Sequence, residues 1–518
     1  MRPSDLLANA AFAIAMATRG RHAYRRLLSQ ARDPQAAQTN ALRAILAANT
    51  HTEQGKRFDL SRINNANDYR SAVPIQDYAD LSAQITRQIE GESNVLSPEK
   101  PLMYARTSGT TGTAKYIPVT PSVFAQAREA QRAMAYVTHR ALNAFRGKIV
   151  GLVGSGSEEI LADGTPAGAM TGMIYASMPR FMRAKYIVPP DVFSIPDYEE
   201  KYRAIARYAV CESDVSAIAT ANPSTLLRLL DVIHAHLPDL AKYATPARRK
   251  TLEALAERGE ITLADLWPRL RTVITWLGGG CAIAAATVRA QLPSGAMMTD
   301  GGYVASEVRG TIVMDLERNL ALPMLGDVFF EFVPASDWEA GGRDTLLLHE
   351  LELDADYHVI VSTCAGLLRY HMNDVLRVTG RIGNTPTLQF MRKGRGVTNI
   401  TGEKLSEDQI HAALAALPAP PLFYIVLADA RRAVYRAHIE ASGDPVELAA
   451  AIDAHLRRNN LEYEAKRASG RLKPLEVVLL RAGTGEAYHR HIVEKKRQRE
   501  AQVKVLALQN ADECDFDF

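Results

Sequence analysis

The residues best suited to chemistry lie between Arg106 and Lys115, R-T-S-G-T-T-G-T-A-K, with Pro118 just beyond. Hydroxyls stand at Thr107, Ser108, Thr110 and Thr111, glycines at Gly109 and Gly112, and a cation at Lys115. Glycine lets the backbone take positive φ and come close to a ligand. Successive N–H groups and hydroxyls can then surround phosphate oxygens, and the lysine adds a compact positive charge. A plain Ser/Thr/Gly surface loop gives no reason for this spacing or for the Lys-x-x-Pro that closes it. The run is not the G-x-x-x-x-G-K-[ST] nucleotide loop, because its spacing differs and no Ser or Thr follows the lysine.

Further along, Met298–Glu307 reads M-T-D-G-G-Y-V-A-S-E, with a ring at Tyr303 and a carboxylate at Glu307. Gly366–Gly380 reads G-L-L-R-Y-H-M-N-D-V-L-R-V-T-G and brings Tyr370 and Asp374. The glycines of Leu277-Gly278-Gly279-Gly280 end a strand pattern, where either close approach of a ligand or a tight turn accounts for them. Gly151 to Gly156 has the glycine order G-x-x-G-x-G, which is wrong for a dinucleotide loop. Lys504, in Gln502-Val503-Lys504, is by spacing one lysine among many near the C-terminus. There is no H-E-x-x-H metal motif and no Ser–His–Asp signature.

These groups need elements to hold them. With 518 residues the chain is too long for one core, so two or three domains are expected. A net charge of +3 gives no pull towards nucleic acid or acidic membranes. The four cysteines, Cys211, Cys281, Cys364 and Cys514, form no C-x-x-C, which argues against zinc or a disulfide framework and suits a reducing cytoplasm. Leu6–Met16 is apolar and could pass for a short export signal, but Asp5 and the Arg19–Arg26 pattern favour an amphipathic helix. No apolar run reaches the ~18 residues of a membrane span.

The periodicities predict helices over 5–48 and a long helix from Pro121 to Arg146, capped at Ser122. A phosphate loop leading into a helix puts the helix's positive end near the anion. Strands are expected at Lys148–Val153, Val215–Ala219 and Thr272–Trp276, and a strand pair over Pro323–Pro334. The 379–387 stretch is turn-rich and reads as a boundary. Beyond it Ser406 caps a helix, and a β-α-β pattern follows over 422–480. The basic run at Arg490–Arg499 reads as a solvated helix face and the acidic tail Asp512–Phe518 as a frayed end.

The Thr107–Lys115 run resembles the phosphate-binding signature of the adenylate-forming superfamily of acyl-CoA synthetases, adenylation domains and luciferase. Val73-Pro74-Ile75, Tyr78, Ile85, Ile89 and Gly91-Glu92, ahead of the T-S-G-T-T-G run, form an ordered series that resembles a narrower group, and Tyr303-x-x-Ser306-Glu307 and Gly402-Glu403-Lys404-Leu405 resemble its later motifs. That group is the auxin-responsive acyl acid–amido synthetases and their bacterial relatives. The resemblance spans about Gln38 to Lys504 and implies an α/β chain. It would have a large N-terminal adenylate-forming domain of sheets and flanking helices over 1–390, and a small mobile α+β C-terminal domain over 391–518. The hinge falls near 391–396.

By the same resemblance Thr107, Ser108, Gly109, Thr110, Thr111, Gly112 and Lys115 hold ATP phosphates, and Gly278 and Gly279 pack on adenine. Tyr303 stacks on the base, Asp374 binds the ribose, Glu307 holds Mg2+, and Lys504 is the late catalytic lysine. His371 and Asn373 depart from the family pattern, in which Arg and Gly are commoner. The implied reaction uses ATP and Mg2+ to make an acyl-AMP from a small carboxylic acid, then passes the acyl group to an amine, an amino acid in most of the family. An acyl-CoA ligase and a catalytically silent adenylate-binding protein are the alternatives.

Overall fold

The computed structural model describes residues 3–108, 114–277, 281–394, 397–421, 423–485, 487, 488, 491, 507–514 and 516–518. The chain divides into two units: Met1–Thr107, Tyr116–Gly279 and Ala284–Arg392 make the first, and Ser108–Lys115, Gly280–Ile283 and Lys393–Phe518 the second.

The first unit contains a four-stranded sheet in the order Lys148–Leu152, Val215–Thr220, Thr272–Thr275, Met297–Asp300, with every pairing parallel. A sheet covered by helices on both faces calls for continuous apolar strands rather than alternating ones. Thr272–Thr275 is buried throughout, and Val215–Thr220 at all but one position. The helix Pro223–Ala241 buries Leu226, Leu229, Leu230, Ile233 and Leu237, spaced three and four apart as one helical face requires. Asn222 caps it by accepting from Ser224 N, and Pro223 occupies the first helical position.

A five-stranded sheet runs Leu346–Leu347, Phe329–Pro334, Asp356–Ser362, Tyr370–Ile382, Thr385–Lys393. Strand alternation splits its residues between two faces. Phe330, Phe332, Val359, Val361, Tyr370 and Met372 go to the main core, while Glu331, His358, Arg369 and His371 go to the other side. The turn-rich 379–387 stretch is the tip of this sheet. Its first strand continues to Ile382, and the chain reverses at Gly383, φ +57. Two residues suffice for such a turn when the first tolerates positive φ.

A third sheet, ordered Ala114–Val119, Met103–Ser108, Pro166–Gly168, Glu159–Ile160, carries both ends of the hydroxyl-rich loop. The helix after it is Pro121–Leu142, and its cap is Thr120, which accepts from Val123 N, not Ser122. Ser122 donates to Glu99 instead. The helix stops at Asn143, φ +51, before Arg146. Gly154, Gly156, Gly168 and Gly172 belong to two backbones in contact: a Cβ on Gly172 would lie 2.3 Å from Gly156 N. Packing, not a dinucleotide, accounts for those glycines.

The N-terminal segment is the helix Pro3–Ala15, a π-helical turn over Met16–Gly20 and the helix Arg21–Gln30. Phe12 packs edge-on to His139 and Phe145. Among the described residues no helix is long and apolar enough to cross a membrane, and no disulfide forms.

The second unit has a sheet ordered Glu476–Leu479, Val434–Ile439, Tyr424–Asp429, Leu508–Asn510. Ser406 and Gln409 form a capping box on the helix Glu407–Ala415. Glu403, of the Gly-Glu-Lys-Leu element, is fully buried and accepts from Ile400 N, Thr401 N, Thr401 Oγ1 and Tyr435 OH at 2.7–2.8 Å. The tail is not frayed. Leu508–Asn510 pairs with Tyr424–Asp429, and Phe516 and Phe518 lie 5.2 and 5.3 Å from the Tyr488 ring. The rings of Phe516 and Phe518 pack partly buried against Tyr488 while Asp512, Glu513 and Asp517 stay exposed, so anchoring the rings costs those carboxylates no solvation.

Candidate active site

The site is built on the turn that follows the last strand of the parallel sheet. Asp300 Oδ1 accepts from Gly302 N at 2.8 Å, and Gly302 takes φ +77. A Cβ on Gly302 would meet Thr311 O at 2.7 Å, so glycine is required there by both conformation and space. Tyr303 N then donates to Thr311 Oγ1 at 2.8 Å, which fixes the tyrosine's backbone.

The Tyr303 side chain is buried, and its phenol donates to Asp374 Oδ2 at 2.6 Å. Burial, then the Asp374 charge, pushes the phenol well above its ordinary pKa, so it remains a donor. Its ring lies parallel to Phe390, 4° between planes and 6.3 Å between centroids. Asp374 is itself buried on the strand Tyr370–Ile382. The residue before it, Asn373, adopts φ +51, so asparagine meets the left-handed requirement that glycine meets in the family pattern.

Glu307 is half-buried. Its charge acts on three phenols, Tyr78, Tyr303 and Tyr370: burial raises each of them most, the bond from Tyr116 N offsets part of this at Tyr78, and the Glu307 charge raises all three further. Tyr78 OH accepts from Tyr116 N at 3.0 Å, the residue directly after Lys115. Glu307, Tyr303, Asp374, Tyr370 and Tyr78 therefore form one cluster. Glu307 also lines a cavity of about 20 Å³ with Arg309, Gln126, Met170 and Met324.

Of the remaining candidates, Thr107 and Ser108 end the strand Met103–Ser108, and Lys115 lies on the strand Ala114–Val119. Gly109, Thr110, Thr111, Gly112, Gly278, Gly279 and Lys504 lie outside the described residues. His371 is on the sheet face opposite Tyr370. It stacks on Trp338 at 4.0 Å and approaches His358 at 3.3 Å, with the Arg343 guanidinium 3.7 Å from the Trp338 ring centroid. The His-for-Arg departure thus points away from Tyr303 and Asp374.

Phe390 has no signal in the sequence, Arg309 a weak one, and Tyr78 enters only as one residue of the ordered series after Val73-Pro74-Ile75 that resembles the family. Tyr78 follows an ordinary helix cap at Asp77, Phe390 sits in an ordinary strand, and only its closeness to Glu307 in the chain draws notice to Arg309.

Among the described residues no three His, Cys, Asp or Glu side chains are grouped to hold a metal. A single half-buried carboxylate fits Mg2+, which takes one or two carboxylates and completes its octahedron with substrate phosphates and water. It does not fit zinc, which wants three or four protein ligands.

The fold is shared with acyl acid amido synthetases and an acyl-CoA ligase of known structure. The chain matches the GH3 family N-terminal domain over residues 23–243, the central domain over 321–393 and the C-terminal domain over 409–513, and it belongs to the GH3 family. It is 24% identical over 486 residues to a probable indole-3-acetic acid-amido synthetase GH3.12 of Oryza sativa subsp. japonica, covering 80% of this chain and 78% of that one. It is 22% identical to jasmonoyl–L-amino acid synthetase JAR4 of Nicotiana attenuata, with 79% and 77% covered. Among solved structures, AtGH3.15 acyl acid amido synthetase in complex with 2,4-DB superposes with a TM-score of 0.65 at 18% identity, covering 95% of each chain. A 2-hydroxyisobutyryl-CoA ligase superposes at 0.55 and 13% identity over 86% of each chain.

Proposed function

We propose that this GH3 chain is an ATP-dependent acyl acid–amido synthetase that adenylates a carboxylic acid and passes the acyl group to an amine, an amino acid being the preferred acceptor. The observation that carries this reading is the buried Tyr303–Asp374 hydrogen bond beside Glu307, on a chain that matches all three GH3 domains.

A carboxylate does not react with amines at neutral pH, because its carbon is electron-rich and oxide is no leaving group. In the first step an oxygen of the acid attacks the α-phosphorus of ATP and pyrophosphate leaves with the bonding pair. In the second the amine attacks the acyl carbon, AMP leaves, and the nitrogen loses a proton. Neither step requires a covalent bond to the protein, so positioning and charge stabilisation carry the rate.

The residues divide this work. Thr107, Ser108, Gly109, Thr110, Thr111, Gly112 and Lys115 hold the phosphates, while Gly278, Gly279 and the Tyr303 ring hold the adenine. Asp374 accepts from the ribose hydroxyls. Glu307 would hold Mg2+, which when bound neutralises charge on the phosphate oxygens. Lys504 spreads the negative charge that develops in the first step. A C-terminal domain beginning near 391 and hinged over 391–396 withdraws that lysine so that the amine can enter. Dependence on ATP suits the cytoplasm.

The test is isotope exchange between pyrophosphate and ATP across a panel of acids, followed by product analysis with amino acids in the absence of CoA. Acid-dependent exchange and an amide product are expected. A product that forms only with CoA would make the chain a thioester-forming ligase. Tight AMP binding without exchange for any acid would make it a silent adenylate-binding protein.

A further inference from the structure

The helix Pro3–Ala15 is apolar on both of its sides. Ala8 and Phe12 are buried, as is Met16 directly after it, and Phe12 and Met16 pack with Ala144, Phe145 and Ile149. At about 100° per residue the opposite arc carries Leu6, Leu7, Ala10, Ala13, Ile14 and Ala17, all of them exposed. A helix lying on a protein in water puts polar side chains there. Leu6, Leu7 and Ile14 are 53%, 74% and 66% exposed, so three of the ten exposed large apolar side chains among the described residues fall within nine positions. Single exposed apolar side chains are ordinary, but a contiguous row of them marks a contact surface.

Three contacts stop the helix from rolling to hide this row. Lys148 Nζ donates to Asp5 Oδ1 at 2.8 Å, Lys185 Nζ donates to Asn9 Oδ1, and the Phe12 ring meets Phe145 at 5.6 Å. The backbone is still helical at Ala15, Gly20 and Arg21, so the exposed side runs on into Arg21, His22 and Arg25, with Arg19 exposed on the turn between. Arg26 pairs with Asp327 at 3.2 Å, whereas Arg19, Arg21 and Arg25 have no acidic partner among the described residues. Residues 1–26 contain five arginines against one acid, Asp5, while the whole chain is only +3. Net charge alone gives no pull towards an acidic membrane, but the positive charge is concentrated beside the apolar row.

We propose that this helix docks the protein on an acidic phospholipid surface, with Leu6, Leu7 and Ile14 at the acyl boundary and Arg19, Arg21 and Arg25 on the headgroup phosphates. The helix is too short to span a bilayer, which takes about 20 apolar residues, but it suits the plane of the interface. A bilayer supplies both chemistries that the surface asks for, hydrocarbon beside negative charge. A second copy of the chain does not, because a twofold pairing sets the same arginines against each other. The row is also small for a protein partner. It covers about 20 Å by 10 Å, a quarter of the ~800 Å² that each side of a stable complex buries. The docking does not depend on the reaction proposed above.

The test is flotation of the full-length chain with vesicles of phosphatidylcholine alone and of phosphatidylcholine with about one-third phosphatidylglycerol. At low salt the native chain floats with the acidic vesicles and not with the neutral ones, and high salt releases it. Each arginine at the surface is worth about fivefold, so Arg19→Gln/Arg21→Gln/Arg25→Gln binds about 100-fold more weakly. Leu6→Ser/Leu7→Ser/Ile14→Ser also loses about 100-fold or more, with its melting curve unchanged because these side chains already meet water. Leu7→Trp, in an otherwise native chain, adds an emission that shifts to the blue on mixing with acidic vesicles. A native chain that floats with neither vesicle, or with both alike, overturns the proposal. So does a Leu7→Trp emission that stays in place, or flotation that neither triple variant weakens. Dimerisation by light scattering that the serine variant abolishes, with no vesicle binding, would make the row a contact between copies and overturn it equally.

Discussion

Glu331 offers the sharpest test of how the fold holds the site. It is fully buried and accepts from Arg369 Nε at 3.0 Å, Arg369 Nη2 at 3.1 Å, Arg70 Nε at 3.3 Å and Thr345 Oγ1 at 2.7 Å. Arg369, almost as buried, also donates from Nη1 to the carbonyls of Val73 at 2.7 Å and Arg70 at 3.1 Å. Next along the chain, Gln76 N donates to Arg369 O and His371 N donates to Gln76 O. This network pins residues 70–76 against the start of the Tyr370 strand, and thereby sets Tyr78 beside Tyr370 and Glu307. Glu331→Ala leaves the Arg369 cation buried without its counter-charge, at a cost of about 3–5 kcal/mol. For a chain of this size that corresponds to a melting midpoint lowered by about 3–6 °C. Arg70 is more exposed and can turn to water, so it adds little. Circular dichroism melts of Glu331→Ala and of the double variant Glu331→Leu/Arg369→Met decide the matter. The double variant removes both charges and recovers most of the loss. A single variant that melts within about 1 °C of native protein, or a double variant no better than the single, would falsify the account.

Other outcomes follow from the same contacts. Tyr303→Phe keeps the ring and removes only the phenol that donates to Asp374, so the Kd for AMP, read by calorimetry, rises about tenfold. If it is unchanged, the bond does not orient Asp374 for the ribose. Lys504→Ala lowers acid-dependent pyrophosphate exchange by about 100-fold or more while AMP still binds; equal exchange would send the search to another lysine. His438 is buried with both ring nitrogens unpaired, and burial, then Arg436, pulls its imidazole down to about 4. An unfolded histidine takes up its proton near pH 6.5, so the folded state is fully stable above about 6.5 and loses stability as the pH falls towards 4. His438→Phe flattens that acid limb of the melting curve; an unaltered slope between pH 4 and 6.5 rules the histidine out as its source.

Much of this protein was legible because its signals are local. Lys148–Leu152 and Val215–Thr220 read as buried strands from their apolar runs alone, and the Ser406 capping box declares itself within four residues. Asp-Gly-Gly-Tyr turns where a glycine must turn, and Asn373 tolerates the positive φ that its position demands. The hydroxyls and Lys115 read as phosphate-binding from their chemistry and spacing, while the roles of Glu307 and Asp374 are what the family resemblance implies. Three-dimensional packing decided the rest. Tyr303 and Asp374 are 71 residues apart in the chain, and neither shows the other as its partner until the turn and the strand come together. Tyr78 and Phe390 join the same cluster from opposite ends of the first unit, through side chains that any helix start or strand could carry. His371 looked like a defect in a motif until strand alternation turned it towards Trp338. The tail's charges suggest fraying, yet Phe516 and Phe518 pack, partly buried, against Tyr488 while the carboxylates of Asp512, Glu513 and Asp517 stay in solvent. Local sequence sets what each group can do, because bond geometry and ionisation belong to the residue. Which groups meet is set by burial and pairing across long loops, whose energies depend on the whole folded chain.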